Sequence, residues 1–171
     1  GRLNIAPEMV ASFSEMMGPD RVSRAQEAWG ITPFNHYGAA EQVMIAADCD
    51  RHMGLHHFSD MSLIEIVDEN MDPVPPGTPG HKVLLTNLHR YVQPVIRYEL
   101  TDLVTAKPES CDCGRAFPLF SEIGGRTEDV IRLPAATGGE VSVSPFLVAN
   151  CLIGEPDAAE YQYNVEGKRM N

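Results

Sequence analysis

Along residues 7–17 the apolar positions Met9, Val10, Phe13, Met16 and Met17 recur at helical spacing, which predicts an amphipathic helix. Pro7 followed by Glu8 suits its first turn, where a missing N–H is harmless and the dipole favours an acid. Gly18-Pro19-Asp20 ends that helix, and a second is predicted over residues 20–29, stopped by Gly30. The Met-rich face is read as core packing rather than a ligand groove, because Met commonly fills gaps between elements. Residues 31–34 read as a short strand leading into the turn Asn35-His36-Tyr37-Gly38-Ala39-Ala40-Glu41, and residues 42–47 are short and apolar. From Met61 the pattern becomes that of strands. Residues 62–67 form a largely buried one, and residues 81–88 return antiparallel to it across the Pro- and Gly-rich excursion 68–80. Residues 94–100 and 103–106 are two more strands, separated by Thr101-Asp102. A tight turn is expected over residues 111–115, and a Gly-led turn over residues 124–131 feeds a strand reaching Leu133. Thr137-Gly138-Gly139 fits a hairpin connection to residues 140–143. Residues 145–152 look helical, and residues 160–165 look like the first strand of a further element. Two helices followed by five or more strands on short loops predict an α+β unit with a barrel-like or strongly bent antiparallel β-sheet.

The chain has 171 residues, enough for one domain or one and a fraction. At 43% hydrophobic but only 7% aromatic, its core must be built mainly from Val, Ile, Leu, Ala and Met. With 13 basic against 24 acidic residues the net charge is −11, which argues against a nucleic-acid partner, since that needs a basic surface to displace counterions. No apolar run approaches the roughly 20 residues that span a membrane, so no membrane partner is expected. Four cysteines without a regular framework suit a reducing cytoplasm better than a disulfide scaffold. A first residue that is Gly rather than Met, and a tail that stops without a natural element end, suggest a piece of a longer protein.

Two sets of residues carry candidate chemistry. Cys49, His56, Cys111 and Cys113 are the more specific. Thiolates in a Cys-x-Cys turn project from one bend and suit a shared metal, and one more Cys with one His closes a tetrahedral zinc shell that leaves no position for water. That requires the loop after the Tyr37 turn to lie beside the loop after Asp102. His52 and His57 compete with His56 as fourth ligand, and three buried or idle thiols are the alternative reading. Cys151 belongs with the apolar core. The second set is Tyr37, Glu41, Asp102 and Arg126. Each sits beside a turn Gly or between strands, and an aromatic plate, two carboxylates and an Arg are what a nucleotide with Mg²⁺ would need. No Walker-type Gly-Lys-Ser/Thr is present, which excludes a P-loop enzyme.

Four stretches, in order, resemble motifs of the adenylate-forming (acyl-activating) superfamily, specifically its phenylacetate-coenzyme A ligase-like branch. Tyr37-Gly38-Ala39-Ala40-Glu41 resembles Tyr-Gly-x-Thr-Glu. Residues 96–103, Ile-Arg-Tyr-Glu-Leu-Thr-Asp-Leu, resemble Ile-Arg-Tyr-Arg-Thr-x-Asp-Leu. Cys111-Asp112-Cys113-Gly114-Arg115 is similar to Cys-x-Cys-Gly-Arg, and residues 125–131 are similar to the hinge Gly-Arg-x-Asp-Asp-x-Ile. The resemblance implies the C-terminal part of the large adenylate-forming domain over residues 1–125, with the hinge and start of a small C-terminal domain over residues 126–171. It implies an enzyme that joins a small carboxylic acid, aromatic in the branch's namesake, to ATP, releasing pyrophosphate, before coenzyme A takes the acyl group. The implied binding set is Tyr37 (stacked on adenine), Gly38, Ala40, Glu41 (the catalytic carboxylate, holding Mg²⁺), Asp102 (accepting from ribose hydroxyls) and Arg126 (on ribose or phosphate). Glu128 would be the pivot of domain rotation. The branch's cysteine pattern implies structural Zn²⁺ on Cys49, His56, Cys111 and Cys113. Ala40 replaces the expected Thr and removes a phosphate-facing hydroxyl worth about 1 kcal/mol, and Glu128 replaces the hinge Asp. The family's phosphate loop and catalytic Lys are expected upstream and downstream, so these residues alone are not expected to complete the reaction. A homodimer is left open. The rival reading is a non-catalytic, zinc-stabilised β module that binds a protein partner.

Overall fold

The computed structural model describes residues 5–14, 17–135, 138–143, 165–166 and 169–170. Its elements run β1 (Ala11–Ser12), α1 (Pro19–Trp29), β2 (Phe34–Ala39), β3 (Gln42–Ala47), β4 (Leu55–His57), β5 (Ser62–Val67), β6 (Lys82–Asn87), β7 (Tyr98–Leu100), β8 (Asp102–Ala106) and β9 (Leu119–Arg126). A 3-10 turn (Thr127–Asp129), β10 (Ile131–Pro134), β11 (Glu140–Val143), β12 (Val165–Glu166) and β13 (Arg169–Met170) complete them. The helix expected over residues 145–152 lies outside the described residues, as does most of the strand expected over 160–165.

One six-stranded sheet runs in the order β1-β2-β3-β4-β9-β8, and a three-stranded sheet runs β5-β6-β7. The two bend around one core, to which β2 and β3 give Tyr37 and Ile45, β5 and β6 give Ile66, Val83 and Leu85, and β8 and β9 give Val104 and Phe120. Backbone bonds from Gly77 to Ala106 and from Gly80 to Val104 tie the 68–80 excursion to β8. The result is the curled, mostly antiparallel β unit expected, with one helix among the described residues. The predicted pair 62–67 with 81–88 forms as β5–β6, with Ser62 opposite Asn87 and Val67 opposite Lys82. The predicted hairpin forms as β10–β11.

Several elements differ from expectation: the strand expected over residues 94–100 is confined to Tyr98–Leu100, and Gly124 to Arg126 lie within β9 rather than opening a turn, which begins only at Thr127. Residues 7–14 form no helix: Ala11 and Ser12 pair in parallel with Phe34 and Asn35, and the Val10 carbonyl accepts from the Phe34 N–H, while residues 15 and 16 of the expected helix lie outside the described residues. Satisfying the open edge of β2 overrides the helical pattern, and Met9, 65% exposed, and Phe13, 42% exposed, do not form the expected core face. The supposed turn around Tyr37 is mostly strand. Asn35 to Ala39 lie within β2, and only Ala40-Glu41 turn the chain into β3. Helix α1 forms as read, with Pro19 in its first turn and Gly30 closing it at φ 71°, its N–H on the Gln26 carbonyl.

Candidate functional site

Strand pairing brings the cysteine set together. Ala47 of β3 pairs with His56 of β4, and His56 pairs with Leu119 of β9. Cys49 therefore emerges just past β3, while Cys111 and Cys113 lie on the loop that enters β9. The donor atoms of Cys49, His56, Cys111 and Cys113 all fall within 4.8 Å of one another. Cys49 Sγ lies 3.7 Å from Cys111 Sγ, and Cys113 Sγ lies 3.3 Å from His56 Nε2. In a tetrahedron of the usual Zn–S and Zn–N lengths those edges measure about 3.8 and 3.5 Å. Cys49, Cys111 and His56 are buried. Burial pushes the Cys49 thiol up to about 11 against the pull of the Arg51 amide, and the neighbouring thiols add to the rise. The Arg115 backbone N–H holds Cys113 below the ordinary thiol value. The donor set and its spacing fit a zinc ion. The competing histidines are engaged elsewhere: His57 sits 3.2 Å from Ser62 Oγ and stacks on Phe120, and His52 Nδ1 sits 2.5 Å from Asp48 Oδ2. His56 Nδ1 is buried without a partner among the described residues.

A cleft of about 600 Å³ opens next to this cluster, with Tyr37, Gly38, His52, Asp102 and Arg126 in its walls. Tyr37 is buried, and its hydroxyl donates to Asp102 Oδ2 at 2.8 Å, joining β2 to β8 across the cleft. Burial first, and the Asp102 charge second, raise the Tyr37 phenol well above its ordinary value, so it stays a donor. Asp102 pairs in register with Arg126 of β9, whose Nε stands 3.7 Å from Asp102 Oδ1. Gly38 is required by packing, because a Cβ there would lie 1.8 Å from the Val43 carbonyl oxygen across the irregular β2–β3 ladder. Glu128 lies on the 3-10 turn directly after Arg126, and Thr127 anchors that turn through its N–H, 2.7 Å from the Thr101 carbonyl.

Ala40 and Glu41 stand apart from the cleft walls, at the tip of the β2–β3 hairpin. Glu41 is held there by residues the sequence did not single out. Arg90 Nη1 donates to its carbonyl at 3.0 Å, and the neighbouring Glu41 carboxylate raises the Tyr98 phenol above its ordinary value. The Asp48–His52 pair in the cleft wall was also missed as a pair. The i, i+4 spacing is its only signal in the sequence, and residues 48–52 are not helical.

No family model matches the chain. It is 27% identical over 166 residues to the phenylacetate-coenzyme A ligase of Thermus thermophilus, taking in 92% of this chain and 36% of that protein. A 2-hydroxyisobutyryl-CoA ligase in complex with R3-HIB-AMP superposes with a TM-score of 0.73 at 25% identity, covering 88% of this chain and 32% of that one. An anthranilate CoA ligase in complex with anthranoyl-AMP shares the fold, with a TM-score of 0.59 at 19% identity over 85% of this chain and 28% of that one. In sequence and in fold the chain is similar to the adenylate-forming superfamily. Within it, the sequence is similar to the phenylacetate-coenzyme A ligase-like branch. The chain spans about a third of the length of these relatives.

Proposed function

We propose that this chain forms the nucleotide-facing portion of a carboxylate-activating ligase, which converts an acid and ATP to an acyl-adenylate and pyrophosphate and passes the acyl group to coenzyme A. The observation that carries the reading is the meeting of Tyr37, Asp102 and Arg126, from three different strands, in one cleft. An aromatic face suits a purine, a carboxylate accepts from vicinal ribose hydroxyls, and a half-free guanidinium meets phosphate oxygens. The likeness to ligases holding acyl-AMP supports it. In this reading Glu41 holds Mg²⁺ and Glu128 is the pivot of the hinge. Cys49, His56, Cys111 and Cys113 hold a structural Zn²⁺ with no position left for water. Three free thiols among the described residues suit a reducing compartment, which we take to be the cytoplasm.

Isothermal titration of the chain with ATP·Mg²⁺ tests the proposal. Binding is expected, and Asp102→Ala should weaken it at least tenfold, about 1.4 kcal/mol. A wild-type chain that gives no binding heat up to millimolar nucleotide overturns the reading.

A further inference from the structure

The eight-residue stretch from Cys49 to His56 has a metal-ligand candidate at each end, and between them it forms part of the cleft wall through His52, Met53, Gly54 and Leu55. Its backbone is closely specified. His52 holds φ at 49°, a conformation unusual for a residue with a Cβ, and its N–H donates to the Cys49 carbonyl at 3.0 Å. Gly54 sits at φ 142°, where a Cβ would lie 2.5 Å from the Phe120 carbonyl oxygen. The His52 ring is then oriented from two sides. Nδ1 lies 2.5 Å from Asp48 Oδ2, and the ring leans on Phe34 with centroids 5.2 Å apart. Asp48 is itself fixed, its Oδ1 accepting from the Cys49 N–H at 2.8 Å and its own N–H donating to the Asn35 carbonyl at 2.9 Å.

This is far more orientation than an exposed loop histidine needs, and it leaves one ring atom uncommitted. Nδ1 donates its proton to Asp48, so in the neutral imidazole Nε2 is a bare acceptor, and it has no partner among the described residues. Its place along the cleft is set by register. Asp48 bonds to Asn35, which shares a strand face with Tyr37 two residues on, about 7 Å away. Asp102 lies at the hydroxyl end of Tyr37. A purine lying on Tyr37 with its sugar at Asp102 can thus present its far edge towards Asn35 and His52. We propose that His52 is a specificity-determining contact that accepts a hydrogen bond from the exocyclic amine of adenine and disfavours guanine, with Asp48 as its positioning residue. Guanine carries a carbonyl oxygen where adenine carries the amine, so two acceptors would face each other. A site built to bond one polar group discriminates by leaving that group unpaired with the wrong ligand.

The inference rests on the nucleotide reading above, and its test separates the two. AMP and GMP are titrated into the full chain and into His52→Asn at pH 8, with the amide ¹H–¹⁵N spectrum followed throughout. Asn tolerates the backbone conformation of residue 52 but is too short to reach the base. The wild type is expected to prefer AMP at least tenfold, and the His52 Nε2 resonance, followed through its long-range couplings to the ring C–H protons, should move with AMP but not GMP. His52→Asn is expected to lose about tenfold in AMP affinity with GMP affinity unchanged. Unchanged AMP affinity in the variant overturns the role of His52 while leaving nucleotide binding intact. Equal losses for both nucleotides also overturn it, by showing a merely structural effect. A wild type that binds neither nucleotide overturns both readings.

Discussion

Tyr37 shows how one residue serves packing and chemistry together. Its ring belongs to the core shared by the two sheets, while its hydroxyl is spent on Asp102 across the cleft. Replacing it with Phe keeps the ring and removes the donor, at an expected cost of about 1–2 kcal/mol. The pH dependence of that cost has a definite sign. The folded phenol titrates above its unfolded value near 10, so its contribution is fully present below pH 10 and fades as pH rises beyond it. Urea unfolding at pH 8 and pH 10.5 should therefore show the wild type losing more stability than Tyr37→Phe over that interval. Equal losses would mean that burial and the Asp102 charge do not raise the phenol above its unfolded value. Ala40, by contrast, is exposed at the hairpin tip, so the methyl that stands in place of a Thr hydroxyl disturbs no packing there.

At the level of elements, the β2–β3 hairpin depends on Gly38, whose missing Cβ lets the Val43 carbonyl cross at close range. Gly38→Ala has no rotamer by which to escape backbone, and it should cost about 1–3 kcal/mol through forced strand displacement. A urea midpoint equal to that of the wild type would refute this close approach. The local patterns were legible in the sequence: α1, the β5–β6 pair, the β10–β11 hairpin and the 111–115 turn all appear where residue periodicity and turn residues put them. Residues 7–14 misled because Met and Phe at helical spacing also fit an edge strand, and only the open edge of β2 decides between the two. The pairing of β4 with β9, whose partners Leu55 and Phe120 are far apart in sequence, has no local signature. Yet that pairing assembles the cysteine cluster, so the residue types were legible while the placing of His56, rather than His52 or His57, beside the three thiols follows from tertiary neighbours. The Asp48–His52 pair was hidden for the same reason.

For the molecule as a whole, the cluster brings together three segments beside the main core. Cys49, Cys111 and Leu119 form a separate small core beside the main one. A metal bound there links the folded state to metal availability. Chelator treatment should lower the melting temperature by about 10 °C, equivalent to about 3 kcal/mol at this size. Cys113→Ser should start near the lowered value and respond no further. Less than a tenth of an equivalent of zinc in protein never exposed to chelator would refute the site. The two sheets are coupled in another way, since Thr101 alone separates β7, in the three-stranded sheet, from β8, in the six-stranded one. Lengthening the 68–80 excursion at its exposed residues Glu69 and Asn70 adds slack while the bonds of Gly77 and Gly80 to β8 stay in place. One residue added at Thr101 would invert the alternation along β8 and turn the Asp102 carboxylate away from Tyr37. That junction is a ratchet with a single tooth, and in any lineage of this fold it can change in composition far more readily than in length.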